Sequence, residues 1–178
     1  MTHPFVIIGG DAAGMSAASK IKRELPDAHV IVFERGEHIS YSACGMPYWI
    51  ADIVRSDRQL VVLTPEEART ERGIDVRTGH TVTAIDPPAK TVTVQRAATG
   101  ETFTQSYERL LIATGASAVR PPIPGIELPA IFTLHSLADA GRIERFIVEQ
   151  RPQRAVVIGG GYIGLQMVEA LHDRGLIV

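Results

Sequence analysis

The chain has 178 residues, 45% of them hydrophobic and 6% aromatic, with a formal charge of −2 at pH 7. That length holds one large domain, or one domain and part of another, and the apolar share is enough for a true core. A charge so near zero gives no electrostatic footing for nucleic acid or an anionic membrane surface. Asp11 breaks the apolar opening, and no apolar run reaches membrane-spanning length. Met-Thr-His-Pro brings no Lys or Arg ahead of that opening, which argues against a secretory signal. A single cysteine argues against a disulfide-built extracellular module. The expectation is a soluble cytoplasmic protein without nucleic-acid, membrane or metal partners.

Phe5-Val-Ile-Ile8 is a short apolar run leading into Gly9-Gly-Asp-Ala-Ala-Gly14, followed by a helical stretch from Met15 to Leu25 that closes at Pro26. His29-Val-Ile-Val-Phe-Glu34 is a buried-strand pattern ending on a carboxylate. Strand, glycine turn, helix and strand make a βαβ unit, and continuous apolar strands suit a parallel sheet covered on both faces. Thr64-Pro-Glu-Glu67 opens another helix, with Thr64 as cap, Pro65 in the first turn and Glu67 completing a capping box. Thr81–Ile85, Thr91–Val94 and Thr102–Thr104 then alternate with period two, separated by Pro87-Pro88 and Thr99-Gly100. They predict a small antiparallel meander over about residues 80–106.

Leu110-Leu-Ile-Ala-Thr-Gly115 is again a strand ending in a glycine turn, and the Pro-rich stretch from Pro121 to Pro129 reads as a linker. Ser136 to Glu149 is helical, Arg154-Ala-Val-Val-Ile158 is a second strand into a second glycine turn, and a helix follows from about Leu165 to His172. The repeated pattern predicts two nucleotide-binding units in series, divided into residues 1–116 and 117–178. Leu176-Ile-Val178 reads as the start of a further strand, so the second unit is expected to be incomplete and the chain an N-terminal piece.

Gly159-x-Gly161-x-x-Gly164 is a complete dinucleotide fingerprint between strand and helix. Its first glycine turns the chain, its second admits a pyrophosphate, its third packs helix on strand, and the helix N-terminus faces the phosphates. In the first fingerprint Gly9 and Gly14 are in place, but Asp11 holds the middle position, with Gly10 beside it to supply backbone freedom. A carboxylate near pyrophosphate is unfavourable unless it points away or adopts a left-handed turn. Glu34, twenty residues past Gly14, is placed to accept two ribose hydroxyls, or is an ordinary strand-end carboxylate.

Cys44 lies in Ser40-Tyr-Ser-Ala-Cys-Gly-Met-Pro-Tyr48 at the expected start of a helix toward Ile50, where a thiolate is favoured. It reads either as a small buried hydrophobe or as a redox nucleophile. With no second cysteine, any disulfide it forms uses a small thiol or another chain. Ser40 is placed to hydrogen-bond the sulfur or to cap the turn. Lys20 and Arg23 on the first helix are a solvated face or, for a phosphorylated substrate, anion contacts.

Gly9–Gly14, Glu34-Arg35, Ser40–Tyr48, Ala113-Thr114-Gly115 and Gly159–Gly164, in this order and spacing, resemble the flavin-dependent pyridine nucleotide-disulfide oxidoreductases over the whole chain. Within them the match is to the single-cysteine branch of coenzyme A disulfide reductases and NADH oxidases. The resemblance implies an FAD/NAD(P)-binding Rossmann-like fold in three ββα layers, with FAD on the first unit and NADH or NADPH on the second. It implies FAD contacts at Gly9, Gly10, Asp11, Ala12, Ala13 and Gly14, at Glu34 and Arg35, at Val82, and at Ala113, Thr114 and Gly115. The nicotinamide nucleotide falls to Gly159, Gly161, Tyr162, Ile163 and Gly164.

By the same resemblance Cys44, with Ser40, receives electrons from the flavin and reduces a small disulfide or thiol substrate of the coenzyme A type in a homodimer. Ser16, Lys20, Arg23, Ser40 and Arg72 stand at the branch's coenzyme A-contacting places. Trp49 replaces the second cysteine of the dithiol branch, and Ala12 replaces the histidine of the NADH oxidases and peroxidases. Ala43 and Gln166 depart from the branch's usual asparagine and glutamate. The competing expectations are an NADH oxidase, a non-catalytic nucleotide-binding fragment and a flavin reductase serving a ferredoxin-like protein.

Overall fold

The computed structural model describes residues 3–178; Met1 and Thr2, half of the segment read for a secretory signal, lie outside the described residues. The chain divides into two units: the part up to Tyr41 with Val61–Gly115, and Ser42–Leu60 with Ala116–Val178.

In the first unit, strands β1 (Phe5–Ile8), β2 (Val30–Phe33), β3 (Asp75–Arg77) and β7 (Arg109–Ile112) form a parallel sheet in the order β3-β2-β1-β7. Helix α1 (Ala12–Glu24) makes the crossover between β1 and β2, and α3 (Pro65–Thr70) leads into β3. Strands β4 (His80–Asp86), β5 (Thr91–Arg96) and β6 (Thr102–Ser106) form the antiparallel meander, over the span its alternation predicts.

The strict period of two in β1 and β2 builds three layers. Ile7, Val30 and Val32 point to one face, where Met15 and Ala18 of α1 and Ala68 of α3 cover them. Val6, Ile8, Ile31 and Phe33 point to the other, where Val92 and Val94 of β5 and Tyr107 close the core. A strand buried on both faces is why these segments read as unbroken apolar runs. The capping box of α3 forms as its residues dictate, Glu67 N–H donating to Thr64 Oγ1 and Thr64 N–H to Glu67.

The second unit contains α2 (Met46–Ile50), α4 (Leu137–Gln150) and α5 (Tyr162–Asp173). Residues 42–60, which the sequence leaves inside the first domain, pack here, because α2 buries Met46, Pro47 and Ile50 among α4 and α5. Trp49 lies so close to α4 that a Cβ on Gly141 would stand 3.3 Å from its ring. Arg174, capping α5, donates to the Ile50 carbonyl at 3.2 Å.

One expected element does not form. Arg154–Ile158 makes only a single parallel bridge, Arg154 to Ile177, and Val156 and Ile158 remain 87% exposed. A strand exists only by pairing, and among the described residues this segment has one bridge to pair with. Both glycine-turn helices begin three residues earlier than hydrophobicity suggests, at Ala12 and Tyr162, because each turn itself supplies the first helical residues.

Candidate nucleotide and thiol site

β1 delivers the chain into the first turn at Gly9, whose N–H donates to Phe33 O at 2.8 Å. Gly9 has φ +108, and any side chain there would collide with the Ala113 carbonyl. A Cβ on Gly14 would likewise fall inside the Gly9 carbonyl oxygen, so these glycines are required by close packing of turn, helix and neighbouring strand. Ala113 N–H donates to Ile8 O at 2.8 Å, which sets Ala113, Thr114 and Gly115 beside the turn.

Glu34, at the end of β2, reaches into the same place. One carboxylate oxygen accepts the Gly10 N–H and the other the Gly36 N–H, each at 2.7 Å. A carboxylate offers about four lone-pair positions, so acceptor capacity is left for two ligand hydroxyls. Gly10 is itself bounded by this residue: a Cβ there would stand 2.7 Å from Ile39 and 3.0 Å from Glu34. The sequence reading places Glu34 but misses its backbone partners; the glycine two residues past a strand-end carboxylate was the available signal. Arg35 is exposed, and Val82 is half-buried against the core between sheet and meander.

Ser40 is held through its backbone. It has φ +46, its N–H donates to Gly10 O at 3.1 Å and its carbonyl accepts from Val62 N–H at 2.8 Å. The expected cap is absent: Ser42 is the N-cap of the turn that follows, and it makes no side-chain bond.

Ser16, Lys20 and Arg23 are exposed on α1, at a spacing that puts them on one face. Lys20 is ion-paired with Glu24 one turn on. Arg72 donates to Ser19 Oγ at 3.2 Å, which brings its guanidinium to α1 beside them.

The second turn shares with the first a left-handed first glycine and a last glycine packed on it, but a Cβ at Gly159 or Gly160 would meet nothing within 4 Å. Gly159 has φ +121, and a Cβ on Gly164 would overlap the Gly159 carbonyl oxygen. Gly161 differs: it has φ −76 and ψ 178, and a Cβ there would meet nothing within 4 Å. The fold does not need a glycine at that place, whereas a diphosphate approaching the α5 N-terminus does. Tyr162 and Ile163 are exposed beside it.

Cys44 is exposed in a single 3-10 turn, Ala43–Gly45, immediately ahead of α2. Burial as a small hydrophobe, one of the two sequence readings, is therefore excluded. A Cβ on Gly45 would press on Leu60, and Ser42 N–H donates to Leu60 O at 2.7 Å, so the turn is held by its own loop. Among the described residues no cluster of His, Cys, Asp and Glu could hold a metal ion, and no helix is long and apolar enough to cross a membrane.

Two glycine turns, a strand-end carboxylate at the first and one exposed thiol mark an α/β protein of the dinucleotide-binding class. The chain belongs to the pyridine nucleotide-disulphide oxidoreductase family, whose match runs over residues 3–178. It is 37% identical over 176 residues to the coenzyme A disulfide reductase of Staphylococcus epidermidis, covering 99% of this chain and 40% of that protein. Its fold follows that of reduced Bacillus anthracis CoADR-RHD with a TM-score of 0.95 at 38% identity, over 99% of this chain and 32% of that one. An NAD-dependent persulfide reductase from A. fulgidus gives 0.92 at 38% identity, over 97% and 32%. The chain thus spans about two-fifths of the length of the curated relatives it matches.

Proposed function

We propose that this chain carries the cofactor-binding and thiol chemistry of an FAD-dependent NAD(P)H:disulfide oxidoreductase acting on coenzyme A disulfide or a related persulfide. One observation carries the reading: the single cysteine stands exposed in a supported turn, in a chain whose glycine turns are shaped for dinucleotides. FAD, when bound, passes the electron pair of a nicotinamide hydride on to sulfur. Gly9–Gly14 would receive its diphosphate, Glu34 and Arg35 would hold the adenosine part, Val82 would lie by the adenine, and Ala113-Thr114-Gly115 would complete the contact. Gly159, Gly161 and Gly164, with Tyr162 and Ile163, receive NADH or NADPH.

Cys44 thiolate attacks one sulfur of the substrate disulfide, forming a mixed disulfide and releasing one thiolate, which takes a proton from water. Two electrons from NAD(P)H then cleave that mixed disulfide, releasing the second thiol and restoring Cys44. The balance is one disulfide, one NAD(P)H and one proton in, two thiols and NAD(P)+ out. Ser16, Arg23 and Arg72 meet the phosphates of a coenzyme A-type substrate, and Lys20 joins them by exchanging Glu24 for phosphate. Ser40, held at its backbone by Gly10 and Val62, acts with Cys44. The whole protein works in the cytoplasm as a homodimer. The test is NADH and NADPH oxidation by the whole protein with coenzyme A disulfide: turnover is expected, with Cys44→Ser at background, and equal rates in that variant would refute the reading.

A further inference from the structure

The Cys44 turn is held from two sides, both within the second unit. Ahead of it, Ser42 N–H donates to Leu60 O at 2.7 Å. After it, α2 runs only from Met46 to Ile50, too short to keep its place by its own hydrogen bonds. Where α2 stands therefore depends on what it is docked against.

A helix end leaves carbonyls without partners inside the helix. Most of those in α2 are taken by the chain that follows: Pro47 O accepts from Ala51 N–H at 2.8 Å, Trp49 O from Asp52 N–H at 3.0 Å, and Tyr48 O from the N–H groups of Ile53 and Val54. Ile50 is the exception. It is fully buried, and its carbonyl accepts from Arg174 Nη1 at 3.2 Å, across 124 residues of chain. Arg174 is the C-cap of α5, so that helix supplies the partner the local backbone does not.

The second anchor is a notch in α4. Gly141 lies inside that helix, where glycine is among the poorest residues. The Trp49 ring stands where its side chain would be: a Cβ there would lie 3.3 Å from Trp49 Cη2 and 3.8 Å from Cζ3. Adjacent residues of α2, Trp49 and Ile50, are thus each held by a different helix, just beyond the thiol in the chain.

We propose that Arg174, together with the Trp49 notch, is a positioning residue for Cys44: it holds α2 from behind and so sets where the sulfur stands when it meets a disulfide. This rests on reading Cys44 as the attacking thiol. Attack on a disulfide needs the thiolate aligned with the bond it breaks, and about 1 Å of misplacement costs on the order of 100-fold in rate. A small alkylating agent needs only a thiolate it can reach, and Cys44 is exposed.

The experiment compares the whole protein, reduced beforehand, with its Arg174→Met and Arg174→Lys variants. Arg174 lines an open cavity of about 340 Å³ with Ile147, Val148, Arg151, Pro152 and Leu176, so methionine enlarges space already present and leaves no hole in the core. In Arg174→Met the rate at which Cys44 takes up coenzyme A from its disulfide is expected to fall about tenfold, with alkylation of Cys44 by iodoacetamide changed less than about twofold. Arg174→Lys, which keeps a donor on a long stem, is expected to recover the adduct rate to within about threefold. If Arg174→Met folds poorly, Gly141→Ala, which presses on Trp49 from the α4 side, is expected to show the same split between the two reagents. An unchanged adduct rate in the folded variant, a parallel fall in alkylation, or no recovery in Arg174→Lys overturns the positioning role while leaving the thiol reading standing. Absence of any coenzyme A adduct at Cys44 in the original protein overturns the thiol reading and this inference with it.

Discussion

Glu34→Ala tests how the first site is assembled before any ligand arrives. In the folded chain both carboxylate oxygens accept backbone N–H groups, from Gly10 and Gly36, at 2.7 Å. Hydrogen bonds to a charged group contribute roughly 1.5–3 kcal/mol each when well sheltered. These two are only partly buried, and water can replace the carboxylate in part, so the lower end applies to each and the sum is about 3 kcal/mol at most. Alanine leaves both N–H groups without a side-chain acceptor, and the glycine turn then keeps only the Gly9 N–H bond to the Phe33 carbonyl at the end of β2. Urea unfolding followed by circular dichroism should show the midpoint falling with the slope unchanged. Glu34→Gln keeps one acceptor and should lose about half as much. A loss below about 0.5 kcal/mol for Glu34→Ala would show that the carboxylate does not brace the turn, and its role would then be confined to the ligand.

Gly161 and Gly164 separate ligand from fold: Gly164→Ala, driven into the Gly159 carbonyl, should destabilise the chain by about 1–3 kcal/mol. Gly161→Ala should change unfolding by less than about 0.5 kcal/mol, yet weaken NADH or NADPH binding about tenfold in a fluorescence titration of the whole protein. Asp139 gives a pH dependence. Burial raises its carboxyl pKa, but bonds from the Ser136 backbone, Arg142, the Ser136 hydroxyl and the His135 backbone outweigh this and hold it below the ordinary 3.8. Its folded pKa is depressed, so its contribution to stability is present above the unfolded pKa and is lost as pH falls through the folded one. Acid titration of unfolding should show this loss below about pH 4 in the original chain, and a smaller slope in Asp139→Asn.

Much of this was legible in the residues, for a reason visible in each case. β1, β2 and the meander are written as uninterrupted or alternating apolar positions, because their burial is complete or one-sided. The α3 start is written in Thr64 and Glu67, because a capping box is a local device. What local pattern cannot carry is partnership. β3, three residues long, exists only because β2 offers it an edge, and Arg154–Ile158 has strand composition but, among the described residues, only the Arg154–Ile177 bridge. The Cys44 segment joins α4 and α5 through Trp49 against Gly141 and Arg174 on the Ile50 carbonyl, contacts spanning long stretches of chain. At the sites, residue types were readable and their occupation was not: Glu34 was placed, but not the two N–H groups it already holds. Asp11 was recognised as out of place, but not as an unpaired buried oxygen.

The most direct measurement is intact mass under non-reducing conditions, on the whole protein exposed to coenzyme A disulfide and then to NADH or NADPH. Thiol exchange at Cys44 requires one coenzyme A adduct, mapped to that residue, which disappears when the reduced nucleotide is added and does not form in Cys44→Ser. Nucleotide oxidation proceeding without any such adduct, and undiminished in Cys44→Ser, would contradict a sulfur-centred mechanism.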